Sequence, residues 1–246
     1  MAMKPQTRSC CVRNSSFTSL IKQKSYEMLK TAKIHIVSVL KRAGLLLAIA
    51  GVLSPAMIAE PAPSPPKSLI DGTLLSDVRD FLNHEVVLRS LEAANARRQG
   101  ITNEEILELD AKWREEAKDG GESSQPLIAT ALGSPISTFL LRVQAKSAGL
   151  FTEIFVMDAN GLNVGQSSIT SDYWQGDEDK VLKTFPLGAG AVFIDTPEYR
   201  EDLGIWAAQV NLTIDRDGTP IGSSTVEVNL TELDRRHKLG KLSNAQ

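Results

Sequence analysis

Cysteine is almost missing from this sequence: 246 residues hold two, adjacent at Cys10 and Cys11. Everything after them lacks disulfides, a thiol nucleophile and cysteine-based metal sites. Histidine is nearly as scarce, with three in the chain. His84 and His237, the two beyond the N-terminal region, lie in polar helical stretches, distant in sequence from any nucleophile. A Gly-x-Ser-x-Gly elbow, a His-Glu-x-x-His helix and a phosphate-binding glycine loop are all lacking. These gaps argue against an enzyme, with an uncharacterised hydrolase as the one enzymatic reading, and they call for no cofactor.

Acidic residues are scarce at one end only. Residues 1–59 carry nine of the 27 Lys and Arg residues but one of the 30 acids, Glu27, which leaves a net charge of −11 from Glu60 onward. A basic leader on an acidic body is a targeting pattern. The stretch "KTAKIHIVSVLKR" supplies a positive region and "AGLLLAIAGVL" (Ala43–Leu53) an apolar core. Lys41 and Arg42 on one side and Pro55 on the other confine that run to eleven residues, short of the roughly 20 a spanning helix needs. The reading is a signal peptide cleaved after Ala59, giving a periplasmic or secreted protein; an uncleaved membrane anchor is the alternative. The apolar run has no cysteine behind it, so a lipid-attached form is not expected, and Met28 would make a more typical start than Met1. The acidic body has no basic patch, which argues against nucleic acid.

The body, 187 residues from Glu60 to Gln246, is large enough to rely on a core. Residues 60–67, "EPAPSPPK", read as an extended proline-rich linker not expected to pack. Residues 68–246 read as one domain, with a helical part (68–149), a sheet part (150–233) and a C-terminal helix and tail (231–246). Apolar residues recur at helical spacing from Leu74 to Leu91, with Gly100 as the stop. Thr102 and Glu105 form a capping box for a second helix ending at Gly120-Gly121. Ser134 and Pro135 open a third, terminated by Gly149.

From there the period becomes two. "LFTEIFVMD", "LNVGQSS", "AVFID", "IWAAQVNLTI" and "IGSSTVEVNL" read as strands, with a helix expected from about Ser171 to Phe185 and a polar helix at "TELDRRHKL". Asp158 and Asp217 are placed to bond their own backbones in Asx-type turns. Helices followed by about five strands, with one helix in mid-sheet, specify an α+β domain: long N-terminal helices on an antiparallel sheet.

The run "VMDANGLNVGQSSITSDYWQGDEDK", then "AVFID" and a "V-x-L-x-I-x-x-D-G-x-x-I-G" hairpin, resembles the Cache-like, PAS-related extracytoplasmic sensor domains, over about residues 70–233. The resemblance implies a PAS-like sheet enclosing a small-molecule pocket, with Tyr173, Trp174 and Asp177 lining it. An amino acid, organic acid or amine would suit it. Aromatic walls give apolar contact with a polar handle, and a carboxylate orients an amine. Arg142 could pair with a carboxylate from the opposite wall, and Trp206 and Gln209 sit on a central strand. Trp174 reads equally as a packing residue, with Lys180 and Asp177 a local pair. Ser171 and Asp172 read as helix caps. The acids of the segment do not have the spacing of a metal cage.

Sensor domains of this kind sit between membrane spans, whereas here "KLGKLSNAQ" ends the chain. The expectation is a soluble binding module that works with a separate membrane receptor. The competing reading is an interaction domain that forms a homodimer through its N-terminal helices and holds no ligand.

Overall fold

The computed structural model describes residues 61–118 and 124–243. The leader, its expected cleavage after Ala59 and the Gly120-Gly121 stop lie outside them. Asp71 opens α1 (Gly72–Leu82) by accepting the Leu74 N–H at 3.0 Å. The single helix expected across Leu74–Leu91 is divided. His84 caps a new helix, α2 (Glu85–Arg97), its Nδ1 accepting from the Val86 N–H at 3.2 Å. The buried positions show why. Leu74, Val78 and Leu82 follow one phase, and burial resumes at Val87, Leu88 and Leu91, out of step with it.

Thr102 and Glu105 form the expected capping box on α3 (Asn103–Lys118), with the Thr102 N–H 2.8 Å from the Glu105 carboxylate. A short helix not foreseen from the sequence, α4 (Pro126–Leu132), takes its cap from far away. The buried Glu116 carboxylate accepts the Leu127 and Ile128 N–H groups at 2.9 and 3.0 Å. Ser134 and Pro135 open α5 (Pro135–Lys146) as expected. Among the described residues no single helix is long and apolar enough to cross a membrane.

Among the described residues six strands form one antiparallel sheet: β1 (Phe151–Asp158), β2 (Asn163–Gln166), β3 (Val192–Ile194), β4 (Glu198–Arg200), β5 (Ile205–Arg216) and β6 (Thr219–Asn229). The order is β2-β1-β6-β5-β3, with β4 also paired to β5. β4 is the strand the sequence reading lacks. α7 (Leu230–Ser243) closes the described chain. Asp158 makes the expected turn, accepting the Asn160 and Leu162 N–H groups at 2.8 and 3.1 Å. In the β5–β6 turn the side chain that bonds is Asp215, not Asp217: Asp215 accepts the Gly218 N–H at 2.9 Å, while Asp217 takes φ +52°.

The helix expected from Ser171 to Phe185 is mostly irregular; only α6 (Asp179–Leu182) and a 3-10 turn at Phe185–Leu187 are helical. The reason is that its backbone groups are satisfied elsewhere. The buried Asp110 carboxylate of α3 accepts the Tyr173 and Trp174 N–H groups at 2.9 and 3.1 Å. Asp172 is accordingly no helix cap. It pairs with Arg114 at 3.0 Å.

Strand alternation gives the sheet two unlike faces. Ile154, Val156, Val210, Leu212, Val226 and Val228 point to one face and pack under α1, α2 and α5 in the main core. Gln209, Asn211, Thr225 and Glu227 alternate with them on the other, beside a small apolar patch of Phe155 and Met157 that Val181 and Phe185 cover. A further core joins α3 and α4 to the 170–176 segment through Ile106, Trp113, Ile128, Leu162 and Tyr173.

Candidate functional site

The polar face carries a recess of about 230 Å³. Its floor is Ala207 and Gln209 of β5 with Glu227 of β6; its walls are Glu178–Lys180 at the start of α6, Asp195 and Thr196 after β3, and Glu198 and Arg200 of β4. Register builds the floor: Gln209 lies opposite Glu227 and Ala207 opposite Glu198. The Asp195 N–H donates to the Gln209 carbonyl at 2.9 Å, which fixes the wall to the floor.

Five carboxylates (Glu178, Asp179, Asp195, Glu198, Glu227) face two cations, Lys180 and Arg200. Both cations are already engaged. Arg200 Nη1 donates to both oxygens of the buried Glu227 at 2.7 and 2.8 Å, while its Nε and Nη2 reach Asp202 at 3.2 and 3.1 Å. The Asp202 hydrogen bond, then Glu227, holds the guanidinium more firmly protonated than usual. Lys180 Nζ lies 3.0 Å from Glu178 and 3.0 Å from Gln175 Oε1, with the Phe155 ring beneath it. Among the described residues, the side chains of Gln209, Thr196 and Glu198 make no hydrogen bond, and Asp195 accepts only the Thr196 N–H. Asp179 pairs with Lys183, so the groups left without a charged partner are two carboxylates, one amide and one hydroxyl.

Glu153 of β1 lies opposite Glu227 in the sheet. Burial pushes its pKa up, and the nearby Glu227 charge pushes the same way, against a hydrogen bond from Ser168. Thr152 donates to Glu227 Oε1 at 2.6 Å. Among the described residues no group of three or more His, Cys, Asp or Glu side chains is placed to hold a metal ion.

Of the six residues singled out from the sequence, Gln209 lines this recess. Tyr173 is buried in the α3–α4 core, stacked on Trp113 with centroids 5.1 Å apart, and its hydroxyl accepts from Arg98 at 2.7 Å. Trp174 is half-buried and donates its indole N–H to the Asn160 carbonyl at 2.9 Å. Gly161 and Gly176 make room for that ring: a Cβ on Gly176 would strike the indole, and one on Gly161 would strike Gly176. Asp177 is exposed, and Lys180 pairs with Glu178 rather than with it. Arg142 is exposed on α5, a helix of the opposite face. Trp206 also turns to the helix-covered side, where its indole N–H donates to the Ala62 carbonyl at 2.6 Å.

Sequence reasoning passed over Asp195, Arg200 and Glu227, and read Lys180 as a local partner of Asp177. One signal was there to find: Gln209 and Glu227 are long polar side chains, each between two apolar neighbours on its strand.

No protein-family model matches the sequence, and no curated protein is found similar to it. Solved structures similar to the chain include the ligand-binding domain of the Campylobacter jejuni chemoreceptor Tlp3 in complex with 4-methylisoleucine, at 13% identity and TM-score 0.30, covering 63% of this chain and 64% of that one. The ligand-binding domain of the Pseudomonas aeruginosa PAO1 amino-acid chemoreceptor PctC in complex with GABA is similar at 13% and 0.31, covering 64% and 63%. The extracellular domain of vpHK1S-Z8, assigned as a histidine kinase, is similar at 13% and 0.34, covering 65% and 51%. The chain spans a little under two thirds of the two chemoreceptor domains. Two of these are ligand-binding domains of chemoreceptors and the third is the extracellular domain of a histidine kinase. At these scores the likeness assigns neither a site nor a ligand to this chain.

Proposed function

We propose that this chain is an exported small-molecule-binding module whose ligand enters the polar-face recess and carries a protonated amine. The carrying observation is the charge balance: Glu178 pairs with Lys180, Asp179 with Lys183 and Glu227 with Arg200, which leaves Asp195 and Glu198 without a cation beside the unbonded Gln209 amide. A protonated amine would meet acceptors on two walls, and the Gln209 amide can serve a second polar group of the same ligand. The volume, about 230 Å³, lies below the roughly 300–1,000 Å³ of drug-sized sites, which suits a metabolite of amino-acid size. Export rests on the basic leader and its short apolar run. In the competing reading the N-terminal helices form a dimer contact; α1 and α2 bury Val78, Leu82, Leu88 and Leu91 inside their own chain, so such a contact would use their outer faces.

The test is a thermal-shift panel of β-alanine, ethanolamine and propionate at millimolar concentration. Ligand at 100 times its dissociation constant adds about 2.7 kcal/mol. β-Alanine or ethanolamine should raise Tm, propionate should not, and Asp195→Asn combined with Gln209→Ala should remove the shift. No stabilisation by either amine, or a shift unaltered in the double variant, would sink the reading.

A further inference from the structure

We infer that Tyr199 and Trp206 form a polyproline-reading site, and that its occupant is the chain's own strap, residues 61–66. The strap carries prolines at 61, 63, 65 and 66, each locking φ near −65°. It forms neither helix nor strand, and Pro66 takes φ −71°, ψ 141°, the polyproline II region. Such a helix repeats every three residues, exposes its carbonyls and has no internal hydrogen bonds. Readers of polyproline answer with paired aromatic rings and a side-chain donor for a carbonyl.

Both parts are present. Tyr199 and Trp206 are direct partners in the β4–β5 register, their rings tilted at 59° with centroids 5.5 Å apart. The indole N–H of Trp206 donates to the Ala62 carbonyl at 2.6 Å. Three residues on, Pro65 is the one strap residue that is half-buried, so Ala62 and Pro65 share the face turned to the protein. Lys67 closes the downstream end, its Nζ 3.1 Å from the Ile194 carbonyl of β3, and Ile70 then enters the main core. The linker expected not to pack is docked.

Strand alternation sets this site back to back with the recess. Glu198, Arg200 and Ala207 face the recess, while Tyr199 and Trp206, interleaved with them, face the strap.

The experiment uses the full chain and the indole N–H resonances of its three tryptophans, that of Trp206 being assigned by its loss in Trp206→Phe. In a strap variant, Pro63→Gly with Pro65→Gly and Pro66→Gly, hydrogen exchange at the Trp206 indole should quicken by about tenfold or more, as expected when a local contact opens. A synthetic peptide EPAPSPPK should restore slow exchange and the native shift in that variant. It should leave the native chain unmoved, because a tethered segment acts at roughly millimolar effective concentration. The strap substitutions touch no core residue, so a folding defect would not mimic this result. Exchange as slow in the variant as in the native chain, or a variant indole that ignores the peptide, would overturn the assignment. So would equal rescue by a Gly-Ser peptide of the same length.

Discussion

The two faces of the sheet use the same strands for opposite ends. On the helix side, Val210, Leu212, Val226 and Val228 pack in the main core, with the small buried Ser224 opposite Leu212. On the other side, Gln209, Asn211, Thr225 and Glu227 sit one residue away, equally fixed in position by the ladder. Apolar burial supplies roughly 25 cal/mol per Å², so the helix side holds the fold, and the polar side is free to place charged groups that the core would not tolerate. A rigid backbone with stability on one face and chemistry on the other positions a site well.

That contrast can be broken from either side. The largest effect is expected on the helix face: Leu212→Ala, which removes a side chain 2% exposed, should cost about 2–5 kcal/mol in chemical denaturation. Next comes Arg200→Ala on the polar face. It leaves the buried Glu227 without its cation, and the cost should be about 1–3 kcal/mol. A smaller effect comes from pH. Burial raises the Glu153 pKa in the folded state, so the folded chain holds this proton more tightly than the unfolded one. The stability this gives is fully present below the unfolded value and is lost as pH rises through the raised one. Glu153→Gln should therefore raise Tm at pH 7 to 8, with the gain shrinking toward pH 4. Smallest is Gln209→Ala. It removes an amide without hydrogen-bond partners among the described residues and should change stability by no more than about 0.5 kcal/mol, while it weakens ligand binding.

The strands were legible because their residues alternate, as in "FTEIFVMD" and "IWAAQVNLTI", and α3 and α5 because their caps are local: Thr102 with Glu105, Ser134 with Pro135. What stayed hidden depends on partners remote in sequence. α4 borrows its cap from Glu116, and the 171–178 segment gives up helix for the Asp110 carboxylate, 63 residues before Tyr173. The recess was hidden for a like reason. Its walls come from α6, the residues after β3, and β4, and the three-residue β4 is too short for any periodicity to mark it. "SDYWQGDE" drew attention because it is dense in functional groups. Tyr173 and Trp174 spend theirs on Arg98 and Asn160.

The most direct test of the two-face account follows side-chain resonances during titration with β-alanine or ethanolamine. The account predicts a saturable shift of the Gln209 side-chain amide, with the Trp174 indole N–H unmoved. A titration that moves the Trp174 indole and leaves Gln209 in place would contradict it.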